Sequence, residues 1–264
     1  QRQMCIRDSK NTASSAEDAV FLCGNEEIET ANENVEKFLI SGKYPSGNSS
    51  AHIHKICPIR KSKKTWTISW QDVIRIGKYI STESYCFEKY VSVTGSACIE
   101  PKLLKTVSGA SLTELTAGNT NKESRLISGS ALYGTSGESY TSYITRYSDQ
   151  VTIISDERKA NLFNWLKLGE KDHSATKVFL SSITKPEKFD FDTNVNGGYR
   201  AIVPIGVFDE VNVFDIDPTL FLKSLAIGDL VALRELGIFD LIPEDMSVFS
   251  YVCPSKYDYV ALFK

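Results

Sequence analysis

Apolar and polar residues alternate in short runs over much of the chain, which is the pattern of half-buried β-strands. In 66–70, Trp66, Ile68 and Trp70 fall on one face. A continuous apolar run at 20–24 ends at a glycine and predicts a buried strand. Further strands are predicted at 90–95, 103–107, 125–129 and 150–154.

Short helical patterns lie between these strands. One covers 73–77 and stops at Gly77. A second begins with a capping box, in which the Ser111 hydroxyl accepts from the backbone amide of Glu114, and it turns Leu112 and Leu115 toward a core. Together with three of the strands this helix predicts a small β-grasp-like unit, with the strand at 150–154 outside it. A longer helix is predicted over 158–168.

The C-terminal third changes to helical patterns. Asp217 and Pro218 are typical of an N-cap and a first helical position, Gly228 closes that helix, and Asp229 caps the next one. A third helix starts at Pro243. We expect a small bundle of two or three helices. The predicted apolar face of the first helix consists of Leu220, Phe221, Leu225 and Ile227.

Charge and hydropathy narrow the class of protein. The 264 residues include 30 Lys and Arg against 33 Asp and Glu, a net charge of −3, which argues against attraction to nucleic acid or anionic lipid. The longest stretch without these four residue types is 126–137, only 12 residues rich in Ser and Gly. A membrane helix needs roughly 18 apolar residues, so we expect no direct membrane span.

The first nine residues stand apart from the rest. Residues 3–8 (QMCIRD) look like the translated end of a transposon-type sequencing adapter, so 1–9 are interpreted as a scar. No apolar core of a secretory signal follows. We therefore expect an N-terminally truncated fragment of a longer protein.

Cysteine spacing and nucleophile motifs exclude several kinds of site. The six cysteines contain no C-x-x-C pair, so iron–sulfur and zinc-ribbon patterns are absent, and buried free thiols in a reducing compartment are expected. Phosphate-binding glycine loops and the G-x-S-x-G elbow are absent as well. These residues predict no self-contained catalytic site.

His52 and His54 are metal-ligand candidates by residue type. In an extended segment both imidazoles would point to one side. Zinc needs a third ligand, however, and Cys57 would point elsewhere without a bend. A structural or interface role is therefore expected for this segment.

Several segments resemble a known family in the same order along the chain. They are Ala51-His52-Ile53-His54 after a Pro-x-Gly loop, 71–77 (QDVIRIG), 109–118, 127–130, Gly197-Gly198-Tyr199-Arg200-Ala201, 203–206, and 249–259 around Cys253. These segments are similar to segments of the NqrA family. Proteins of that family form one of the subunits of sodium-translocating NADH:quinone oxidoreductases. Ala51 stands where the family usually has Thr, and Ser255 where it usually has Gly.

The resemblance implies an α+β architecture. It comprises the tail of a Rossmann-like α/β domain (10–58), a β-grasp region of SLBB type (59–190) and a small C-terminal helical domain (191–264), after the scar at 1–9. Relatives that carry an iron–sulfur cluster bind it through several cysteines in the helical part. Only Cys253 remains there, so no cluster is expected from this chain alone.

The resemblance also implies a role in a respiratory complex. It predicts a peripheral subunit on the cytoplasmic face of the bacterial inner membrane, docked on the other subunits of a Na⁺-pumping NADH:ubiquinone oxidoreductase. It implies no cofactor on this chain, because NADH, FAD, FMN, riboflavin, iron–sulfur and ubiquinone are used through other subunits. Ubiquinone is a further expected contact of the family, mostly through an N-terminal part outside this sequence.

No catalytic, cofactor-binding or metal-binding residue is carried over from the family. The interface or structural candidates are His52, His54, Gly197, Gly198, Arg200 and Cys253. Two alternative functions stay open at this point. One is a stand-alone β-grasp module that binds a ligand or a protein, and the other is an RnfC-like electron-transfer subunit that has lost its clusters.

Overall fold

The computed structural model describes residues 3–8 (backbone only), 20–26, 35–59, 64–120, 123–136, 142–156, 168–170, 172–175, 178–187, 189 and 191–264. The strands are β1 (Gln3–Asp8), β2 (Val20–Gly24), β3 (Val35–Leu39), β4 (Lys64–Ser69), β5 (Glu88–Thr94), β6 (Lys102–Val107), β7 (Ser124–Ser128), β8 (Thr135–Ser136) and β9 (Gln150–Ser155). The helices are α1 (Ser49–Ile56), α2 (Trp70–Thr82), α3 (Leu112–Thr116), α4 (Ser181–Thr184), α5 (Pro218–Ile227), α6 (Leu230–Glu235), α7 (Pro243–Val252) and α8 (Tyr259–Phe263).

The predicted elements are largely confirmed. The predicted strands match β2, β4, β5, β6, β7 and β9, and the predicted C-terminal helices match α5, α6 and α7. The helix predicted over 158–168 lies outside the described residues, apart from Leu168. The mixture of sheets and helices confirms the α+β class.

The chain forms two compact units, which are described separately. Unit 1 consists of residues 1–85 and 200–264, and unit 2 consists of residues 86–199. Unit 1 is therefore built from two stretches of chain. The domain boundaries expected from the sequence stay predictions.

Unit 1 contains a four-stranded sheet in the order β3-β2-β1-β4. β1 is antiparallel to β2 and β4, whereas β2 and β3 are parallel. Phe21 and Cys57 are buried between this sheet and α1, with Phe38, Ile53 and Ile56 packed against them. The rings of Phe21 and Phe38 meet edge to face at 5.8 Å. This apolar cluster attaches α1 to the sheet.

The helix expected to stop at Gly77 continues to Thr82, which corrects the sequence interpretation. A Cβ built on Gly77 would meet no atom within 4 Å, so this glycine serves no close packing. A glycine inside an exposed helix costs only about 1 kcal/mol relative to alanine, which is too little to end a helix with a good start. That start is the Ser69 hydroxyl, which accepts from the Asp72 amide.

The C-terminal helices of unit 1 share an aromatic core. Phe208 lies edge to face with Phe249 at 6.2 Å and with Tyr259 at 6.1 Å. The predicted apolar face of α5 is only half right. Phe221 and Leu225 are buried, but Leu220 and Ile227 are exposed, and Leu222 is buried in their place.

Unit 2 contains a five-stranded sheet in the order β6-β5-β9-β7-β8. The strand expected to lie outside the β-grasp-like unit is therefore β9, which occupies the centre of the sheet, so this expectation is wrong. β9 is parallel to β5 and antiparallel to β7. Local patterns do not encode which distant strands pair, and this explains the error.

The core of unit 2 forms where β5, β9 and α3 meet. Its fully buried members include Val91, Val93, Leu112, Val151 and Ile153. Just after β5 the chain passes close to β9. A Cβ at Gly95, whose φ is +134°, would lie 2.0 Å from the carbonyl oxygen of Ile153, so this crossing requires glycine.

The capping box predicted at Ser111 does not form. The Ser111 side chain makes no capping hydrogen bond, although Leu112 is buried and Leu115 packs against the core as predicted. Ser111 instead pairs with Tyr143 in an isolated bridge, and the amide of Leu112 donates to the carbonyl of Ser142. Strand-like pairing has replaced the side-chain cap.

The N-cap of α5 provides a stability test. Asp217 accepts from the Leu220 amide at 2.8 Å, so Asp217→Ala is expected to lower the free energy of unfolding by about 1 kcal/mol. Asp217→Asn keeps the acceptor and is expected to stay close to the parent chain. Urea denaturation measures both. Equal losses in the two variants would contradict the cap.

Candidate functional site

The most deeply buried carboxylate of the described residues joins α7 to the start of α1 in unit 1. Asp245 has no exposed surface. Its Oδ1 accepts from Asn48 Nδ2 at 2.8 Å and from Ser50 Oγ at 2.7 Å, and its Oδ2 accepts from the Ile242 amide at 2.9 Å. A carboxylate leaves water only at a large cost unless its lone pairs are used. The three donors reduce that cost.

Two further side chains tie the same junction together. The Tyr44 hydroxyl donates to the Glu244 carbonyl at 2.8 Å and lies 2.8 Å from Ser247 Oγ. His52 is 2% exposed, and its Nε2 donates to the Ser46 carbonyl at 2.9 Å. The Nδ1 of His52 makes no hydrogen bond with any described residue. His52 therefore fixes the loop before α1 rather than facing solvent.

His54 joins α1 to the segment between Asp215 and Asp240. Its Nε2 accepts from the Asp215 amide at 2.9 Å, so Nδ1 carries the ring proton and faces Asp240 Oδ2 at 3.4 Å. Asp240 also accepts from the Ile59 amide at 2.9 Å. The His54 ring meets Phe214 edge to face at 5.5 Å. Both imidazole nitrogens are engaged, so the ring acts as a connector.

The extended conformation considered for His52 and His54 is not adopted. Both residues lie in α1, where side chains two positions apart point about 200° away from each other. They therefore face different partners rather than one shared ligand. Cys57, the third residue considered, is buried beside Phe21.

A cleft of about 470 Å³ opens beside His54. The other residues that line it are Lys55, Pro58, Val213, Phe214 and Asp215. Within the described ranges, no three His, Cys, Asp or Glu side chains come together in a group that could hold a metal ion.

Arg200 and Cys253 meet around the turn that follows α7. Arg200 Nε donates to the Pro254 carbonyl at 2.9 Å, and Ser255 Oγ donates to the Ala201 carbonyl at 2.8 Å. Cys253 is 1% exposed, with its Sγ 3.5 Å from the Tyr259 hydroxyl. Burial raises the pKa of Tyr259 strongly. These contacts give the turn a structural role.

Gly197 and Gly198 lie in unit 2 and are exposed. A Cβ built on Gly198 would meet no atom within 4 Å, so no close approach requires a glycine there. The role suggested for this pair by its family resemblance stays a prediction.

Unit 2 contains a buried cation that the sequence interpretation did not single out. Lys89 is 1% exposed, and its Nζ donates to the carbonyls of Thr145 and Arg146 at 3.1 and 2.5 Å. It also lies 3.4 Å from Asp149 Oδ1. Lys89 therefore anchors the loop before β9. Its position was visible in the sequence, because it alternates with Val91 and Val93 on the buried face of one strand.

The contacts of Asp245, by contrast, leave no signal in the sequence. Asn48 and Ser50 belong to a Ser-rich stretch that is typical of a loop, and Asp245 follows Pro243-Glu244 as an ordinary first-turn acid. Nearly 200 residues separate them, at 197 for the Asn48 contact. Local patterns do not specify such a pairing.

Two family models match successive parts of the chain. Residues 12–85 match the NqrA second alpha/beta domain, and residues 90–138 match the NQRA C-terminal domain, of SLBB type. Both stretches are thus similar to domains of NqrA proteins. Their order agrees with the order of the α/β and β-grasp parts expected from the resemblance.

Relatives extend this similarity through most of the chain. The NqrA protein of the Na(+)-translocating NADH-quinone reductase of Neisseria meningitidis serogroup B is 39% identical over 232 residues, covering 88% of this chain and 52% of the relative. The proteins of the same name from Saccharophagus degradans and Vibrio campbellii are 38% and 37% identical over 251 residues, covering 94% of this chain and 56% of each relative. The chain thus spans about half the length of the curated relatives it matches.

Removing the buried carboxylate tests the junction between α1 and α7. Asp245→Ala leaves Asn48, Ser50 and the Ile242 amide without their acceptor, so it is expected to lower the free energy of unfolding by about 3 kcal/mol. The control Asp209→Ala changes an exposed acid of unit 1 and is expected to stay within about 0.5 kcal/mol. Urea denaturation followed by circular dichroism measures both. Similar losses in the two variants would contradict the assignment.

The same carboxyl group predicts a pH dependence. Burial raises the pKa of Asp245 above its ordinary value of 3.8, although its hydrogen bonds act in the opposite direction. Because the folded-state pKa is the higher one, the stability it contributes is present below about pH 4 and is lost as the pH rises through the folded-state pKa. Asp245→Asn cannot titrate. The free energy of unfolding of the parent chain minus that of Asp245→Asn is therefore expected to fall with rising pH and then level off. A constant difference would contradict this.

Proposed function

We propose that this chain is part of the NqrA subunit of a Na⁺-translocating NADH-quinone reductase. In this role it supports electron transfer from NADH to ubiquinone coupled to the export of Na⁺. The observation that carries the proposal is the 39% identity over 232 residues with the Neisseria meningitidis protein of that name. The two domain matches, in one order along the chain, support it.

The proposed partners are the other subunits of the complex, with ubiquinone as a further contact. The proposed location is the cytoplasmic face of the bacterial inner membrane, where the chain is peripheral. The relatives' name, which denotes one lettered subunit, supports a multi-subunit assembly. Across the part of the chain that the structure describes, no helix is long and apolar enough to cross a bilayer.

The proposed role is that of a cofactor-free accessory subunit, whose redox groups belong to its partners. The internal use of its buried polar groups supports this. Asp245 and His54 connect α1 to the C-terminal helices, and Lys89 anchors a loop in unit 2. Each is engaged with protein atoms, as expected for groups that hold a scaffold together. No residue is assigned a catalytic role.

Exchange of the matching region tests the proposed function. The aligned stretch of the Neisseria meningitidis NqrA is replaced by the matching part of this chain. The resulting chimera is expected to copurify with the complex and to restore Na⁺-dependent, NADH-driven quinone reduction to complexes that lack NqrA. Complexes without any NqrA are the negative control.

A folded chimera that does not assemble, or that assembles without restoring activity, would contradict the proposal. The proposal that this chain holds no cofactor would be contradicted if the purified chain alone contained iron or showed flavin absorbance in the visible range.

A further inference from the structure

α2 is oriented with its polar side toward the body of unit 1. Gln71, Asp72 and Arg75 are its buried residues, and Asp72 pairs with Arg75 at 2.7 Å. The residues that point outward are mostly large and apolar, with exposed fractions from 37 to 75%. We call five of them the α2 face: Trp70, Val73, Ile74, Ile76 and Ile80. A soluble helix normally buries such residues.

Large apolar side chains are also exposed on the sheet beside α2. Trp66 on β4 and Leu39 on β3 are each 66% exposed. These exposed side chains and the outward apolar helix together indicate that a packing layer belongs on this part of unit 1.

The comparisons point to the source of that layer. The family model that matches residues 12–85 describes a second alpha/beta domain. The alignments cover only 52 to 56% of the relatives, so these relatives contain a further part of comparable size. We propose that the α2 face packs against that further part of an NqrA-family protein. This packing lies within a single polypeptide and does not depend on the pumping function.

Charge argues against a lipid surface as the occupant. A helix that lies on an anionic membrane carries basic residues on its solvent-facing polar side. The polar side of α2 is instead turned inward, with Arg75 paired to Asp72, and the chain has a net charge of −3. Apolar packing against another protein layer fits the α2 face better.

Thiol labelling tests the proposal in the full-length chimera described above. Ile80→Cys places a thiol on the α2 face, and Ile183→Cys in unit 2 is the matched control, since the two isoleucines are 75% and 77% exposed. Maleimide labelling of each site is followed by mass spectrometry of its peptide. The labelling rate at position 80 is expected to be about tenfold lower, or more, in the chimera than in the isolated chain. A buried thiol reacts only after local unfolding exposes it to the reagent. The rate at position 183 is expected to stay the same.

Unchanged labelling of position 80 in a chimera that unfolds cooperatively would overturn the proposal. So would protection in the isolated chain together with a dimer in sedimentation, because the occupant would then be a second copy. Flotation of the isolated chain with phosphatidylcholine–phosphatidylglycerol vesicles, abolished by Ile80→Lys, would assign the face to a membrane. An active chimera with an unprotected position 80 contradicts this inference alone, whereas an inactive chimera with a protected position 80 contradicts the proposed function alone.

A second measurement uses the isolated chain and needs no chimera. Ile74→Lys combined with Ile80→Lys is expected to reduce the binding of a hydrophobic dye at least twofold without lowering the denaturation midpoint, because both side chains are exposed. A lowered midpoint with unchanged dye binding would mean that the isolated chain already covers the face, and would overturn the proposal.

Discussion

The carboxylate of Asp245 is the interaction on which the junction of unit 1 depends. It brings together Asn48, Ser50 and the start of α7, from stretches of chain on either side of unit 2. Apolar packing alone is not directional, whereas the hydrogen bonds from Asn48 and Ser50 to one carboxylate fix the position of α1 against α7. α1, which contains the NqrA-like segment around His52 and His54, is held at one end by Asp245 and at the other by Asp240.

Unit 2 uses a buried charge in the same way. Lys89 reaches the carbonyls of a loop more than 50 residues away and orients the chain as it enters β9, the central strand. In both units the apolar clusters supply the general driving force for folding. The buried ionisable group, Asp245 in unit 1 and Lys89 in unit 2, then fixes the position of a segment that is distant in the sequence. A group of this kind is costly to bury unless its partners are in place, so it penalises alternative arrangements.

Sequence patterns predicted the features that depend on near neighbours. The alternation at 90–95 predicted β5, and the Asp217 and Gly228 signals marked the two ends of α5. Patterns failed for features that depend on contacts between distant segments. One example is the pairing of β9 with both β5 and β7. Of the candidate residues, His54 and Arg200 form hydrogen bonds with Asp215 and Pro254, and these distant partners leave no local signal. The similarity to NqrA was accessible because many short motifs occur in one order.

The split construction of unit 1 also sets the order of events during synthesis. Asn48 and Asp245 are 197 residues apart, so at about 5–20 residues per second the ribosome makes the first roughly 10–40 s before the second. Throughout that interval α1 lacks the carboxylate that holds its first turn. Unit 2, which ends at residue 199, is made before Asp245. The first stretch of unit 1 therefore waits for its partner helix α7 after it has been made.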